Sequence, residues 1–194
     1  MLRIAVLTVL AATLSGCTSV YVMSHVPTAT LARLSAMTVA DVDPAELRVA
    51  TRLPKVLEPQ PGGVKVMLGL SVPQGRRRTE TFLLEAASTP SEMAAVAKFQ
   101  RPDASLWVYR LSAEDVLRLR RIIDATTQAS GRKDISISAG VDACHRGPLG
   151  EGALPSTTIL RTNASGYFVL AEELNIRSLV SAGVLAAKVP ACAP

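Results

Sequence analysis

An α+β fold, mainly antiparallel sheet or sandwich with one principal amphipathic helix over 113–129, is what this 194-residue chain predicts. Three observations carry that expectation. Apolar residues alternate without a break through Val64, Val66, Leu68, Leu70 and Val72, the period of a strand with one covered face. The period lengthens to that of a helix where Val116, Leu119, Ile122, Ile123 and Thr126 share one face and Glu114, Arg118, Arg121 and Asp124 the other. Short runs of Pro, Gly and Asn separate the strand-like segments, and short connections favour antiparallel neighbours.

Taken in order, Leu31, Leu34 and Met37 recur at helical spacing after Pro27 and Thr28 and suggest a short helix, followed by a turn at Asp43-Pro44. Leu47, Val49, Thr51 and Leu53 alternate with Arg48, Ala50 and Arg52, which reads as a half-buried first strand ending at Pro54. Pro59, Pro61, Gly62 and Gly63 read as the turn into the second strand, residues 73–75 as the next turn, and 78–86 as the third strand of a meander. A short helix is expected over 91–99 and a fourth strand, with Trp107 and Tyr109, over 105–111. Ser112 followed three residues later by Asp115 is a variant capping box that opens the principal helix, and Gly131 ends it. Ile135 and Ile137 begin a fifth strand, 147–155 is a loop, and 157–161 with 167–171 frame a hairpin at 163–166. A last helical turn is expected over 176–180.

The first seventeen residues have another logic. Arg3 supplies a positive start, and residues 4–14 form an apolar run interrupted only by Thr8 and Thr13. Eleven helical residues reach about 16 Å, roughly half the hydrocarbon core of a bilayer, which suits an export signal better than a permanent span. Leu14-Ser15-Gly16-Cys17 then resembles the lipobox of bacterial lipoproteins, with Gly16 and Cys17 at the cleavage site and Cys17 the lipidated residue. The resemblance covers residues 1–17 only. It implies a signal peptide over 1–16, a lipidated N-terminus with a short tether over 17–30, and one periplasmic domain over 31–194. It also implies anchoring without spanning, since each buried CH₂ of an acyl chain contributes about 0.8 kcal/mol. Thr18 in place of Asp after the cysteine implies the periplasmic face of the outer membrane.

Composition is consistent with that setting. Without residues 1–16 the chain carries 20 basic and 16 acidic side chains, a net charge of +4, because Arg3 is lost and no acid goes with it. So small an excess, with seven aromatic residues in all, gives no reason to expect a nucleic-acid partner. Lipidation of Cys17 leaves Cys144 and Cys192, an even pair in an oxidising space, and these are expected to form a disulfide.

Candidate chemistry is sparse. Cys144-His145 sets a thiol beside an imidazole, but neighbours on a strand point to opposite faces. His25, His145 and Cys192 show no zinc spacing, no cofactor is implied, and the glycines of 147–152 lack the Lys-Ser or Lys-Thr of a phosphate loop. Asn163-Ala164-Ser165 is accounted for by turn geometry. Glu80, Glu85, Glu172 and Glu173 are scattered carboxylates among which spacing selects no pair. Arg76, Arg77 and Arg78 form a basic run suited to anionic headgroups, phosphates or wall carboxylates, or to a solvated hairpin rim. The expected function is a non-enzymatic, membrane-anchored envelope role in structure, assembly or interaction with an envelope protein. A small envelope hydrolase with a cleft around Glu172 or Asp142, and an apolar-ligand carrier, are the alternatives.

Overall fold

Strand β1 (Arg48–Pro54) organises the structure. It pairs antiparallel with β5 (Ala104–Arg110) on one side, Val49 opposite Tyr109, and with β7 (Pro155–Arg161) on the other, Val49 opposite Leu160. The edges are β4 (Glu85–Ala86) and β8 (Phe168–Asn175), giving a five-stranded sheet of order β4-β5-β1-β7-β8. A second antiparallel sheet, of order β3-β2-β6, is built from β2 (Leu57–Ser71), β3 (Arg78–Leu83) and β6 (Asp134–His145). This computed structural model describes residues 24–71, 78–128, 134–163 and 166–193.

The two sheets bury a common core. Val49, Leu160 and Phe168 from the larger sheet meet Val64, Val66, Leu68 and Phe82 from the smaller. Helix α3 (Ala113–Gln128) closes that core with Leu119 and Ile123, the face its sequence periodicity marks. The Ser112 hydroxyl accepts from the Asp115 amide at 3.1 Å, so the expected cap forms. At the other end of the sheet interface Leu53, Leu57, Ala143 and Leu154 pack under Leu185 of α4 (Ala182–Lys188), a helix whose short apolar content did not announce it.

The opposite face of the five-stranded sheet is covered as well. Val96 of α2 (Pro90–Val96), with Met93 and with Phe99 from the 3₁₀ turn Ala97–Phe99, packs on Ala50, Leu106, Val108 and Ile159. β1 is therefore buried on both faces, not half-buried, and its Arg48 and Arg52 lie beneath α2 and the 3₁₀ turn instead of in solvent. Helix α1 (Thr28–Ala36) runs along the β8 edge: the Thr30 hydroxyl donates to Val169 O, and the Glu172 amide donates to His25 O at 2.8 Å. This covers backbone that an open edge leaves to pair with other chains.

Three strand expectations change. The meander does not include β1, which joins the other sheet and turns into β2 at Lys55 and Val56. Residues 59–63 are not a turn but part of β2, whose register against β6 shifts between Pro59 and Val64. Prolines and glycines cluster there because a bulge tolerates missing donors and, at Gly62 with φ 67°, left-handed backbone. The segment 78–86 divides at Leu84, β3 pairing with β2 and β4 with β5. The turn expected at 73–75 and the end of the principal helix near Gly131 lie outside the described residues.

Candidate functional site

Beyond the end of the 3₁₀ turn the outer face of the larger sheet is open, forming a cleft of about 600 Å³. Its floor is Arg52, held in the sheet interior because β1 is flanked by β5 and β7. The walls bring Arg101 and Asp103 from the loop after the 3₁₀ turn and Glu172 and Glu173 from β8. That volume lies in the range of about 300–1,000 Å³ usual for small-molecule sites.

The Arg52 guanidinium is fixed from three directions. Nη1 donates to Phe99 O at 2.8 Å, and Nη2 donates to the Thr157 hydroxyl at 3.0 Å and to the Glu173 carboxylate. The Glu173 amide in turn donates to the Thr157 hydroxyl at 3.1 Å. The β7–β8 register slips on both sides of Thr158, and Glu173 has φ 51°, the one positive φ at a non-glycine among the described residues. The bulge turns Glu173 back towards β1. Burial is uneven: the Arg52 side chain is 6% exposed and that of Glu173 54%.

A second polar cluster lies at the other end of the same face. Glu92 in the first turn of α2 receives Arg48 Nε at 2.7 Å, Arg161 Nη2 at 3.4 Å and the Tyr167 hydroxyl at 2.7 Å. Burial works to raise the Glu92 carboxyl, but the hydrogen bonds from Tyr167 and Arg48 and the charges of Arg48 and Arg161 outweigh it and hold the group below its ordinary range. Burial first, and then the Glu92 hydrogen bond, push the Tyr167 hydroxyl far above an ordinary phenol, so it stays a donor. This cluster is filled by its own side chains; it ties α2 to the sheet.

The remaining residues singled out by sequence are dispersed. Cys144 and Cys192 form a disulfide with Cα atoms 4.9 Å apart, so the Cys144 thiol is not a nucleophile. The ring Nδ1 of His145 lies 2.8 Å from Gly147 O. Glu80 is paired with Arg118 at 2.6 Å, and Asp142 with Lys65 at 3.0 Å. Glu85 is exposed on the β4 edge. Arg118 also meets Asp115, and Arg120 approaches Asp43. The loop carbonyls of Leu149, Gly150 and Gly152 accept from Arg177, which accounts for that glycine-rich segment as structure. Asn163 donates to Asp41 O at 3.0 Å. Gly16, Cys17, Arg76 and Arg77 lie outside the described residues, and Arg78 opens β3 opposite Leu70. No group of three His, Cys, Asp or Glu suited to a metal occurs among the described residues.

Of the four carboxylates noted in the sequence, the cleft gathers Glu172 and Glu173. Sequence reading missed Arg52, Arg101 and Asp103; an arginine at an apparently solvent-facing strand position carries no mark of burial. An apolar recess of about 230 Å³ between Leu34, Met37, Val42, Leu68 and Ile137 is smaller than most ligand sites. Comparison with protein-family models, curated proteins and solved structures finds no match to this chain.

Proposed function

We propose that this protein is a lipid-anchored component of a bacterial envelope, acylated on Cys17 after removal of residues 1–16, acting non-enzymatically through binding at the periplasmic face of the outer membrane. The observation that carries the reading is the ordered series of Arg3, apolar run and Leu14-Ser15-Gly16-Cys17. The Cys144–Cys192 disulfide supports it, because such bonds persist in oxidising compartments and the pairing leaves Cys17 as the third of three cysteines. The cleft supports a binding role: a guanidinium fixed at the floor of an open polar recess gives orientation through charge-assisted hydrogen bonds.

Metabolic labelling with an alkyne fatty acid, followed by membrane fractionation, tests the anchor. Label on the wild-type chain and its loss, together with loss of membrane association, in Cys17→Ser is the expected result. Equal labelling of the two proteins, or none of the wild type, overturns it.

A further inference from the structure

We propose that the cleft binds an amino-acid-type zwitterion, a carboxylate with an ammonium group close by, and that Glu173 holds the carboxylate's seat beside Arg52 until such a ligand arrives. The proposal stands on the cleft and not on the lipid anchor.

The Arg52–Glu173 pair is asymmetric in a way that an ordinary structural ion pair is not. Arg52 cannot leave: its strand is central, and Phe99 O and Thr157 hold its head. A guanidinium so removed from water needs an anion beside it at all times, since leaving a buried charge unpaired is strongly unfavourable. Glu173 can leave, because more than half of its side chain already faces solvent and, besides Arg52, its carboxylate is met by the Thr157 hydroxyl at a long 3.3 Å. Its backbone is bent into the left-handed region to deliver the carboxylate, a conformation that disfavours a residue with a Cβ. The chain thus holds a strained, detachable carboxylate over a fixed guanidinium on the floor of a cleft of about 600 Å³. A ligand carboxylate presents the same two oxygens to the same fork of N–H groups.

The rest of the lining restricts which carboxylates fit. Once Glu173 has yielded, Glu172, Glu173 and Asp103 face Arg52 and Arg101, an excess of one negative charge. A bare anion meets that excess unfavourably, and a bare cation has nothing with which to replace Glu173 on Arg52, so it engages the carboxylates alone. A ligand that brings both charges satisfies both sides: its carboxylate replaces Glu173 on Arg52, and its ammonium meets the carboxylates of β8. The volume leaves room for a side chain or further residues, so the head group can belong to a free amino acid or to a wall peptide.

The test is calorimetric titration of the full chain in detergent with alanine, acetate, alaninamide and a wall tetrapeptide bearing a free amino-acid head. Wild type is expected to bind alanine or the tetrapeptide with Kd about tenfold below that of acetate or alaninamide. The tighter of the first two identifies the source. Glu173→Gln removes the internal competitor and one partner of the ammonium, so acetate binding tightens by about tenfold and the preference for the zwitterion shrinks. Arg52→Lys, which keeps the charge but loses the fork, abolishes binding. Absence of zwitterion binding to wild-type protein, equal affinity for alanine and acetate, or binding unchanged in a folded Glu173→Gln protein overturns the proposal.

Discussion

Replacing Glu92 by Gln tests the polar cluster that fixes α2 to the sheet. The substitution keeps size and shape but removes the charge that Arg48 and Arg161 share, and their side chains are only 14% and 16% exposed. Removing one member of a buried ion pair costs about 3–5 kcal/mol. Arg161 keeps Glu46 at 3.1 Å, which brings the expected loss to the lower end of that range and somewhat below it, about 2–4 kcal/mol. At about 2–4 °C per kcal/mol for a domain of this size, the midpoint falls by about 5–15 °C. The pH dependence supplies a second criterion. Because the folded-state carboxyl lies below its ordinary value of 4.5, its stabilisation is fully present above that value and is lost as pH falls through the folded one. Thermal unfolding followed by circular dichroism should therefore show wild type well above Glu92→Gln at pH 7 and the two converging in acid. A difference under about 1 kcal/mol at pH 7, or one that persists unchanged into acid, refutes this account of the cluster.

Breaking the disulfide with Cys192→Ala should cost up to about 4 kcal/mol, the chain entropy of a 48-residue loop, measured by urea unfolding; alkylation of unreduced wild-type protein should find neither Cys144 nor Cys192 free. Gly63→Ala places a Cβ 2.7 Å from Asp142 O and 3.0 Å from Gln60 O, so the β2 bulge must shift, at about 1–3 kcal/mol. Gly62→Ala meets no such atom and should cost less, its burden being the φ of 67°; denaturant midpoints rank the two. Ser112→Ala removes the α3 cap and should lower stability by about 1 kcal/mol in the same assay.

What the sequence made legible was local. The alternation through β2, the apolar stripe and cap of α3 and the cysteine pair all depend on residues near one another or on simple parity, and each appears in the structure. What stayed hidden depends on distant partners. Arg48 and Arg52 mimic a solvent-facing row, yet the first is largely covered and the second buried, because Glu92 and Glu173, 44 and 121 residues away, neutralise them. The same non-locality placed β1 with β5 and β7 instead of with β2. Only the start of β6 was marked, at Ile135 and Ile137, although Ala139, Val141 and Ala143 carry the same alternation on towards His145. The cleft was legible only as two of its carboxylates, since its floor and far wall come from β1 and the 101–103 loop.

The first of the described residues lie against the cleft. His25 O accepts the Glu172 amide, so the polypeptide lies at the rim of the recess, on one of the two β8 residues that form one wall. From Cys17 to His25 is eight residues, a leash of at most about 28 Å when fully drawn out. A lipid on Cys17 would therefore keep the opening tethered near the bilayer, sampling ligands from the thin layer of solvent next to the membrane more than from the bulk.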